Sequence, residues 1–373
     1  SVGALNCQFD DDIVAADVIK IEPTGGGDPL RKWRLLREGV AVALRQPDGS
    51  LKPDRVRVID WVHPDANDFF VASQTWVASE LYKRRPDAVG FVNGLPLLLC
   101  EWKAPGQGVQ EAYEANLADY RDTVPRLFDA NGFVVLSNGL EALMGASHAP
   151  FEAYAPWKRL EEDGPESVEL ATLLRATCKP ARFLDLIENF TLFEEARGGL
   201  RKVLGKYHQV LGVNRAIDAV LQIEHNRGRL GVFWNTQGSG KSLSMVMFAE
   251  KALRRLGGNW TFVVVTDRQE LDDQIAGTFA ATGALTKDIQ QAQAQSRAHL
   301  RELLAGQERY VFTLIHKFGT ERGEAIPVLS ERRDIIVITD EAHRSQYDQL
   351  AANMRRALPN AAFIGFTGTP LIA

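Results

Sequence analysis

Cysteine is scarce in this chain: Cys7, Cys100 and Cys178 are the only three in 373 residues. They are far apart, odd in number and never spaced as CxxC. That spacing excludes a disulfide framework or a cysteine zinc site, and the expected compartment is a reducing cytoplasm. Long apolar runs are also missing. No stretch of about 18 apolar residues occurs, so no membrane span is expected. No basic segment followed by an apolar one opens the chain, so no signal peptide is expected either. An excess of basic charge is lacking: the formal net charge is -5. The chain is therefore not a uniformly basic nucleic-acid coat, although a local basic surface suffices to hold DNA. Lys83, Arg84 and Arg85 form one such cluster. Arg31, Lys32, Arg34 and Arg37 form another, which reads as solvated surface. No internal repeat is found.

Apolar residues make up 45% and charged residues 24%, the composition of a globular protein. The length exceeds one ordinary core and predicts two domains joined by a linker. Residues 22–29, "EPTGGGDP", read as a loop. Residues 51–143 alternate strand-like runs ("RVRVIDWV", "AVGFV", "LPLLLCEW", "GFVVLSN") with a helical stretch, "VQEAYEANLADYRDTV". The first domain is accordingly placed at residues 1–150. Residues 151–206 have helical spacing broken at Gly164-Pro165 and Pro180, and are expected to form a helical connector. From 207 to 373, strand-like runs at "LGVFW", "WTFVVVT", "RYVFTLI", "DIIVITD" and "AAFIGFT" alternate with helical patterns. That alternation predicts a parallel sheet covered on both faces, with ligands beyond the carboxyl ends of its strands.

The residues at those strand ends carry chemistry. After "LGVFW" comes "NTQGSGKSLSM". Gly238 and Gly240 allow a sharp turn whose N–H groups, with those of Thr236 and Ser239, form an anion cradle at a helix start. Lys241 can reach outer phosphates, and the Ser242 hydroxyl can ligate Mg²⁺. The strict phosphate-loop pattern has Gly where this chain has Asn235. After "DIIVITD" comes "EAHRS". Asp340 can hold Mg²⁺ through water, Glu341 can orient or deprotonate the attacking water, and His343 falls near the γ-phosphate. "TGTP", starting at Thr367, Gly368 and Thr369, follows the last strand.

A different arrangement occupies "GLPLLLCEWKAPG". Residues two apart in a strand share a face, so Leu97, Leu99, Glu101 and Lys103 point one way. A buried carboxylate needs a cation nearby. Asp87 lies at the start of the preceding strand, across a hairpin turn at Asn93-Gly94. Asp87 and Glu101 converging on a divalent cation, with Lys103 beside them, could activate water for phosphodiester cleavage. A regular two-residue hairpin would place Asp87 opposite Cys100, on the wrong face. The reading therefore demands an odd loop or a one-residue bulge, for which Pro96 provides an opening. The alternative is a structural Glu-Lys pair on an exposed edge.

"NDFFVASQTWV", "RRPDAVGFVNGLPLLLCEWKAP", "KYHQVLGVNRAIDAV", "WNTQGSGKSLSM", "VVVTDRQELDDQ", "TLIHKF", "TDEAHRS" and "GFTGTPL" occur in that order. Together they resemble the restriction (R) subunit of type I restriction-modification enzymes over about residues 55–373. The resemblance implies an α/β chain: a small PD-(D/E)xK nuclease domain, a helical connector and the first RecA-like lobe of a superfamily 2 translocase. It implies ATP and Mg²⁺ as cofactors, double-stranded DNA as substrate, and modification and specificity subunits as partners. Asp87, Glu101 and Lys103 match the nuclease pattern, and Thr367, Gly368 and Thr369 match the turn coupling nucleotide state to DNA grip. The resemblance assigns Gln209 to adenine; by its chemistry alone it could equally be a solvated helix-start residue. The family pattern Q-x3-Y on the following helix has Asn116 in place of Gln, with Tyr120 kept. Asn is one methylene shorter, so the sequence leaves open whether Asn116 reaches the site, and the roles of Asn116 and Tyr120 are not assigned from it. The family's motor has a second lobe that supplies an arginine to the γ-phosphate. The chain is expected to be a fragment without that lobe and deficient in ATP hydrolysis. A standalone helicase with an inactive nuclease-like module is the alternative.

Overall fold

The computed structural model describes residues 29–161, 163–234, 236, 238–320, 326–340 and 347–368. The chain divides into two compact units, one holding residues up to 191 with 202–204, the other residues 192–201 and those from 205 onward.

In the first unit, helix α1 (Pro29–Glu38) buries Trp33 and Leu36. A separate antiparallel hairpin follows, β1 (Val40–Arg45) with β2 (Leu51–Val56). The expected strand "RVRVIDWV" contributes only its first residues to β2. Then come β3 (Phe69–Ser73), β4 (Val77–Ala78), β5 (Lys83–Arg84), β6 (Ala88–Val92), β7 (Leu95–Trp102), β8 (Phe133–Ser137) and β9 (Ala142–Gly145). Five of them form one sheet in the order β3-β6-β7-β8-β9. All pairings in it are antiparallel except β7 with β8. A parallel pair needs a crossover, supplied by α2 (Val109–Glu111), a π-helical stretch (Ala112–Leu117) and α3 (Ala118–Thr123) in succession. Val109, Ala112, Leu117 and Tyr120 on this helix pack against Val89, Leu99, Val134 and Leu136 of the sheet.

The β6–β7 hairpin sets the register that matters. Asn93 and Gly94, at φ +49° and +80°, make the tight two-residue turn. Val92 pairs with Leu95 and Phe91 with Pro96, but Gly90 then pairs with Leu98. Leu97 is the extra residue of a β-bulge. Beyond it Val89 meets Leu99 and Ala88 meets Cys100. The bulge that the sequence demanded is present, next to a proline that has no N–H for the ladder.

The connector expected at 151–206 is not a separate body. Its helices are α4 (Leu170–Thr177) and α5 (Pro180–Asn189), and both belong to the first unit. Leu173, Phe183, Leu184, Leu186 and Ile187 are buried, and such apolar faces need a core rather than solvent. Pro180 opens α5 instead of breaking a helix, since its missing N–H costs nothing in a first turn. The hairpin of β10 (Thr191–Ala196) and β11 (Gly199–Leu204) closes this stretch.

The second unit runs α6 (Tyr207–Leu221), β12 (Arg229–Trp234), α7 (Lys241–Leu256), β13 (Thr261–Thr266) and α8 (Gln269–Ala281). It continues through α9 (Ile289–Ala292), α10 (Arg297–Ala305), β14 (Tyr310–Leu314), β15 (Ile335–Asp340), α11 (Tyr347–Ala357) and β16 (Ala362–Thr367). The strands form one parallel sheet in the order β12-β16-β15-β13-β14. Each of the strands expected from the sequence is present. β13, β14 and β15 are buried along their whole length, which is why they read as continuous apolar runs. Among the described residues no helix is long and apolar enough to cross a membrane.

Helix α6 lies close against β12, where a Cβ added at Gly212 would stand 2.4 Å from the Phe233 ring. That ring stacks on Phe366 with centroids 4.7 Å apart, so it has little room to retreat. Gly212→Ala should therefore destabilise the second unit by about 1–3 kcal/mol through overpacking. Urea unfolding of the chain, read at both transitions if the units melt separately, measures the loss.

Candidate active sites

The bulge carries Asp87 past Cys100 and beside Glu101. The main-chain N–H of Asp87 donates to Glu101 Oε1 at 3.1 Å, and the Trp102 N–H donates to Asp87 Oδ2 at 2.8 Å. Side chains thus take over the cross-strand bonding where the ladder ends. Glu101 is almost wholly buried. Tyr120 Oη donates to its Oε1 at 3.0 Å and Asn116 Nδ2 to its Oε2 at 2.8 Å. The Asn116 carbonyl accepts from Lys103 Nζ at 2.6 Å. Asn116 therefore links the acid to the ammonium, despite being shorter than the Gln of the family pattern. The reach of Asn116, which the sequence left open, is sufficient for contact with both groups. Asn116 lies in the π-helical stretch, a local widening often found at functional sites, and the helix presents both side chains to Glu101.

Burial, and next to it the charge of Asp87, pushes the Glu101 carboxyl up to about 7. The two acids are held together against their repulsion, the condition that a divalent cation relieves. Among the described residues no group of three or more His, Cys, Asp or Glu side chains is placed to hold a metal ion. The Asp87–Glu101 pair suits Mg²⁺ nonetheless, because Mg²⁺ is commonly held by one or two carboxylates with water and substrate oxygens completing the shell.

Gln74 was not singled out from the sequence. Its N–H donates to the Asp87 carbonyl at 3.0 Å and its Nε2 to Asp87 Oδ1 at 2.6 Å. It does so from φ +52°, a left-handed backbone that is uncommon outside glycine. No spacing rule signals this contact; it follows from β3 pairing with β6.

The second site lies at the carboxyl ends of the parallel strands. Gly238 and Gly240 stand at φ +81° and +88°, and Lys241 is the first residue of α7. Lys241 Nζ lies 2.7 Å from Oδ1 of Asp340, which is fully buried at the end of β15. Ser239 N–H donates to the Thr236 carbonyl at 3.2 Å, closing the turn. Gly238, Lys241, Ser242, Asp267, Arg268 and Asp340 are among the residues lining a cleft of about 860 Å³, room enough for a nucleotide. Mg²⁺ fits here as well, since a fully buried carboxylate at a strand end calls for compensating positive charge, of which Lys241 supplies part.

Gln209 is buried and its amide is used at both ends. Oε1 accepts from Lys206 N–H at 2.9 Å, and Nε2 donates to the Gly240 carbonyl at 3.0 Å and Ser244 Oγ at 3.1 Å. In this state it braces the loop from behind; adenine recognition would require exchange of those bonds. Thr367 pairs with Trp234 across β16 and β12, and Phe366 with Asp340 across β15. The Gly368 carbonyl accepts from Trp234 Nε1 at 3.3 Å. Asn235, Glu341, His343 and Thr369 lie outside the described residues.

Residues 29–153 match the family described as type I restriction enzyme R protein N terminus, and residues 208–373 match the SWI2/SNF2 ATPase family. An R-protein N-terminal module followed by a helicase-like ATPase module defines a class of restriction polypeptide. Over its whole length the chain is 39% identical to the type I restriction enzyme HindI endonuclease subunit of Haemophilus influenzae, of which it spans 38%. A relative from Methanocaldococcus jannaschii, provisionally named as the MjaIXP endonuclease subunit, is 31% identical over 91% of this chain and 34% of its own length. Among solved structures, the UvsW helicase from bacteriophage T4 aligns with 51% of this chain and 60% of its own, at 13% identity and a TM-score of 0.35. The chain belongs to the type I restriction enzyme R protein family.

Glu101 generates a pH test. Folded, it keeps its proton up to about 7 against an ordinary value of 4.5. Its contribution to folding is thus fully present below 4.5 and is lost as pH rises through 7. A Mg²⁺ held by this pair would have to displace that proton, so affinity should fall about tenfold per pH unit below 7, with close to one proton released per ion there, and level off above 8 with none released. Calorimetry in buffers of different protonation enthalpy counts the proton. Glu101→Gln should abolish the release, and an affinity independent of pH would remove Glu101 from the ligands.

Proposed function

We propose that this chain carries the cleavage site and a nucleotide-binding motor lobe of a type I restriction endonuclease, in which ATP-driven movement of double-stranded DNA is coupled to Mg²⁺-dependent phosphodiester cleavage. The observation that carries this reading is the register shift at Leu97, which joins Asp87 to Glu101 while Asn116 fixes Lys103 beside them. A structural Glu-Lys pair on an exposed edge would need neither the bulge nor the burial of Glu101.

In the cleavage site, Asp87 and Glu101 would hold the cation. When bound, it supplies an activated water and draws charge from the phosphodiester. Lys103 places its ammonium against the charge that develops on the phosphoryl oxygens. Asn116 holds Lys103 and Glu101 at a fixed separation, and Tyr120 keeps Glu101 oriented with its charged form satisfied.

In the motor lobe, the N–H groups from Gly238 to Ser242 would cradle the phosphates at the start of α7. Lys241 exchanges its contact with Asp340 for the outer phosphates, and Asp340 and Ser242 then face the cation. Glu341 would orient the attacking water and His343 would sit near the γ-phosphate. Thr367 ends β16, with Gly368 and Thr369 next in sequence, and β16 pairs with the strands ending before the phosphate loop and at Asp340. A change at the γ-phosphate can thereby reach the turn that the family uses to grip DNA. Modification and specificity subunits are the proposed partners, and reading of the DNA target belongs to them.

The test uses the complete enzyme assembled with those subunits. Lys103→Ala should lower plasmid cleavage by about 100-fold or more while ATP turnover persists. Lys241→Ala should abolish both movement and cleavage. Undiminished cleavage by the Lys103 variant would leave the first unit as a binding module.

A further inference from the structure

The β3–β6 pair does not end at the cleavage site. Past Ser73 and Ala88 the chain continues through the Gln74–Asp87 bond to β4 and β5, where Val77 pairs with Arg84 and Ala78 with Lys83. Ser79 N–H donates to the Tyr82 carbonyl at 2.8 Å, and Ser79 Oγ accepts from the Tyr82 N–H at 3.1 Å. Residues 74–87 are thus a hairpin arm that starts at Asp87, bends at the left-handed Gln74 and projects beyond the sheet.

The arm is anchored at two points, the first being Val77, which packs against the core formed by the sheet and its helix. Arg84 grips the Asp119 carboxylate with Nη2 at 2.8 Å and with Nε, tying the arm to α3 one residue before Tyr120. It presents Trp76 and Leu81, which are 66% and 85% exposed, while Tyr82, 47% exposed, lies against the anchoring Arg84, whose guanidinium is 5.4 Å from its ring centroid. A turn is ordinarily finished with small polar residues, whereas here a leucine stands at the tip. The Arg85 guanidinium lies over the Trp76 ring at 5.5 Å, and Lys83 and Arg85 are both exposed. In a chain of net charge -5, the strand returning from the tip carries Lys83, Arg84 and Arg85 within four residues of the candidate catalytic acid Asp87, with open aromatic and apolar side chains beside them and one exposed acid, Glu80, at the tip.

We propose that this arm inserts into DNA: Leu81 and Trp76 pack against bases at an opened or kinked step, and Lys83 and Arg85 meet the flanking phosphates. The ligand class is a DNA strand with unstacked bases, because aromatic platforms and apolar wedges act on bases freed from the helix. A protein partner would use the apolar residues but has no need of the local cations. The arm's root at Asp87 means that a strand held on it runs to the carboxylates; only this last step rests on the nuclease reading.

Binding of the whole chain to labelled single-stranded, forked and fully paired oligonucleotides, in EDTA, tests the proposal. Trp76→Ala and Leu81→Ala should each weaken binding to single-stranded and forked DNA by about tenfold, with less effect on the paired duplex. A 2-aminopurine at the fork should brighten with the native chain and not with Trp76→Ala. The substituted residues are exposed, and unchanged circular dichroism and melting would show that the variants fold. Equal loss on all DNAs, or none, overturns the proposal. So does unaltered DNA binding with impaired assembly onto the modification and specificity subunits, which would assign the arm to a protein partner. Because cleavage plays no part in EDTA, an assembled Lys103→Ala enzyme that still cuts would sink the nuclease reading and leave the arm standing.

Discussion

One extra residue governs the first unit. With a regular hairpin after Asn93-Gly94, Asp87 would face Cys100 across the strands, and Glu101 would be a buried acid with no acidic partner. The bulge at Leu97 shifts every pair from Gly90 outward by one position. Because side chains alternate with period two along a strand, that single shift moves Asp87 from the wrong face to the right one. The placement of Gln74, the root of the 74–87 arm and the exchange of hydrogen bonds with Glu101 and Trp102 all inherit this register.

The two sites answer the same electrostatic problem differently. Each buries an acid at a strand end, where removal from water is costly. Asp340 has an ammonium 2.7 Å away, so part of its compensation is a formal charge, one that phosphates of the proposed nucleotide would compete for. Glu101 is compensated by dipoles, from Tyr120, Asn116 and the Asp87 N–H, and Lys103 reaches it only through the Asn116 amide. Dipoles offset less of the burial than a contacting cation would, and the Glu101 carboxyl is accordingly raised.

Much of this was legible in the residues. The parallel strands of the second unit announce themselves as continuous apolar runs, and "GSGKS" and "TDEAH" fall at strand ends as the sheet topology requires. In the first unit, strand alternation made the bulge a logical necessity of the Asp87–Glu101 pairing before its location was known. What was not legible depends on tertiary geometry. The reach of Asn116 depends on how a π-helical stretch aims it, and one methylene of side-chain length was a poor guide. Gln74 depends on a non-glycine residue held at positive φ by a neighbouring strand. The helices at 170–189 looked like a connector because helical spacing alone does not say which core an apolar face will cover.

The ion pair at the phosphate loop also explains why Gln209 braces the loop from the other side. Two left-handed glycines leave the turn with few side-chain contacts of its own, and backbone freedom of that kind is lost on folding at an entropic cost. Gln209 restrains it by bonding the Gly240 carbonyl and Ser244, while its own Oε1 is fixed by the N-cap of α6. Lys241 is held to Asp340 in front and Gly240 to Gln209 behind, so on the proposed reading the cradle would be braced before any phosphate arrived. An adenine that drew the Gln209 amide away would loosen the rear brace as phosphates released the front one. Nucleotide occupancy would then be felt at both ends of the loop, and through the paired ends of β12, β16 and β15 at the turn that begins with Thr367.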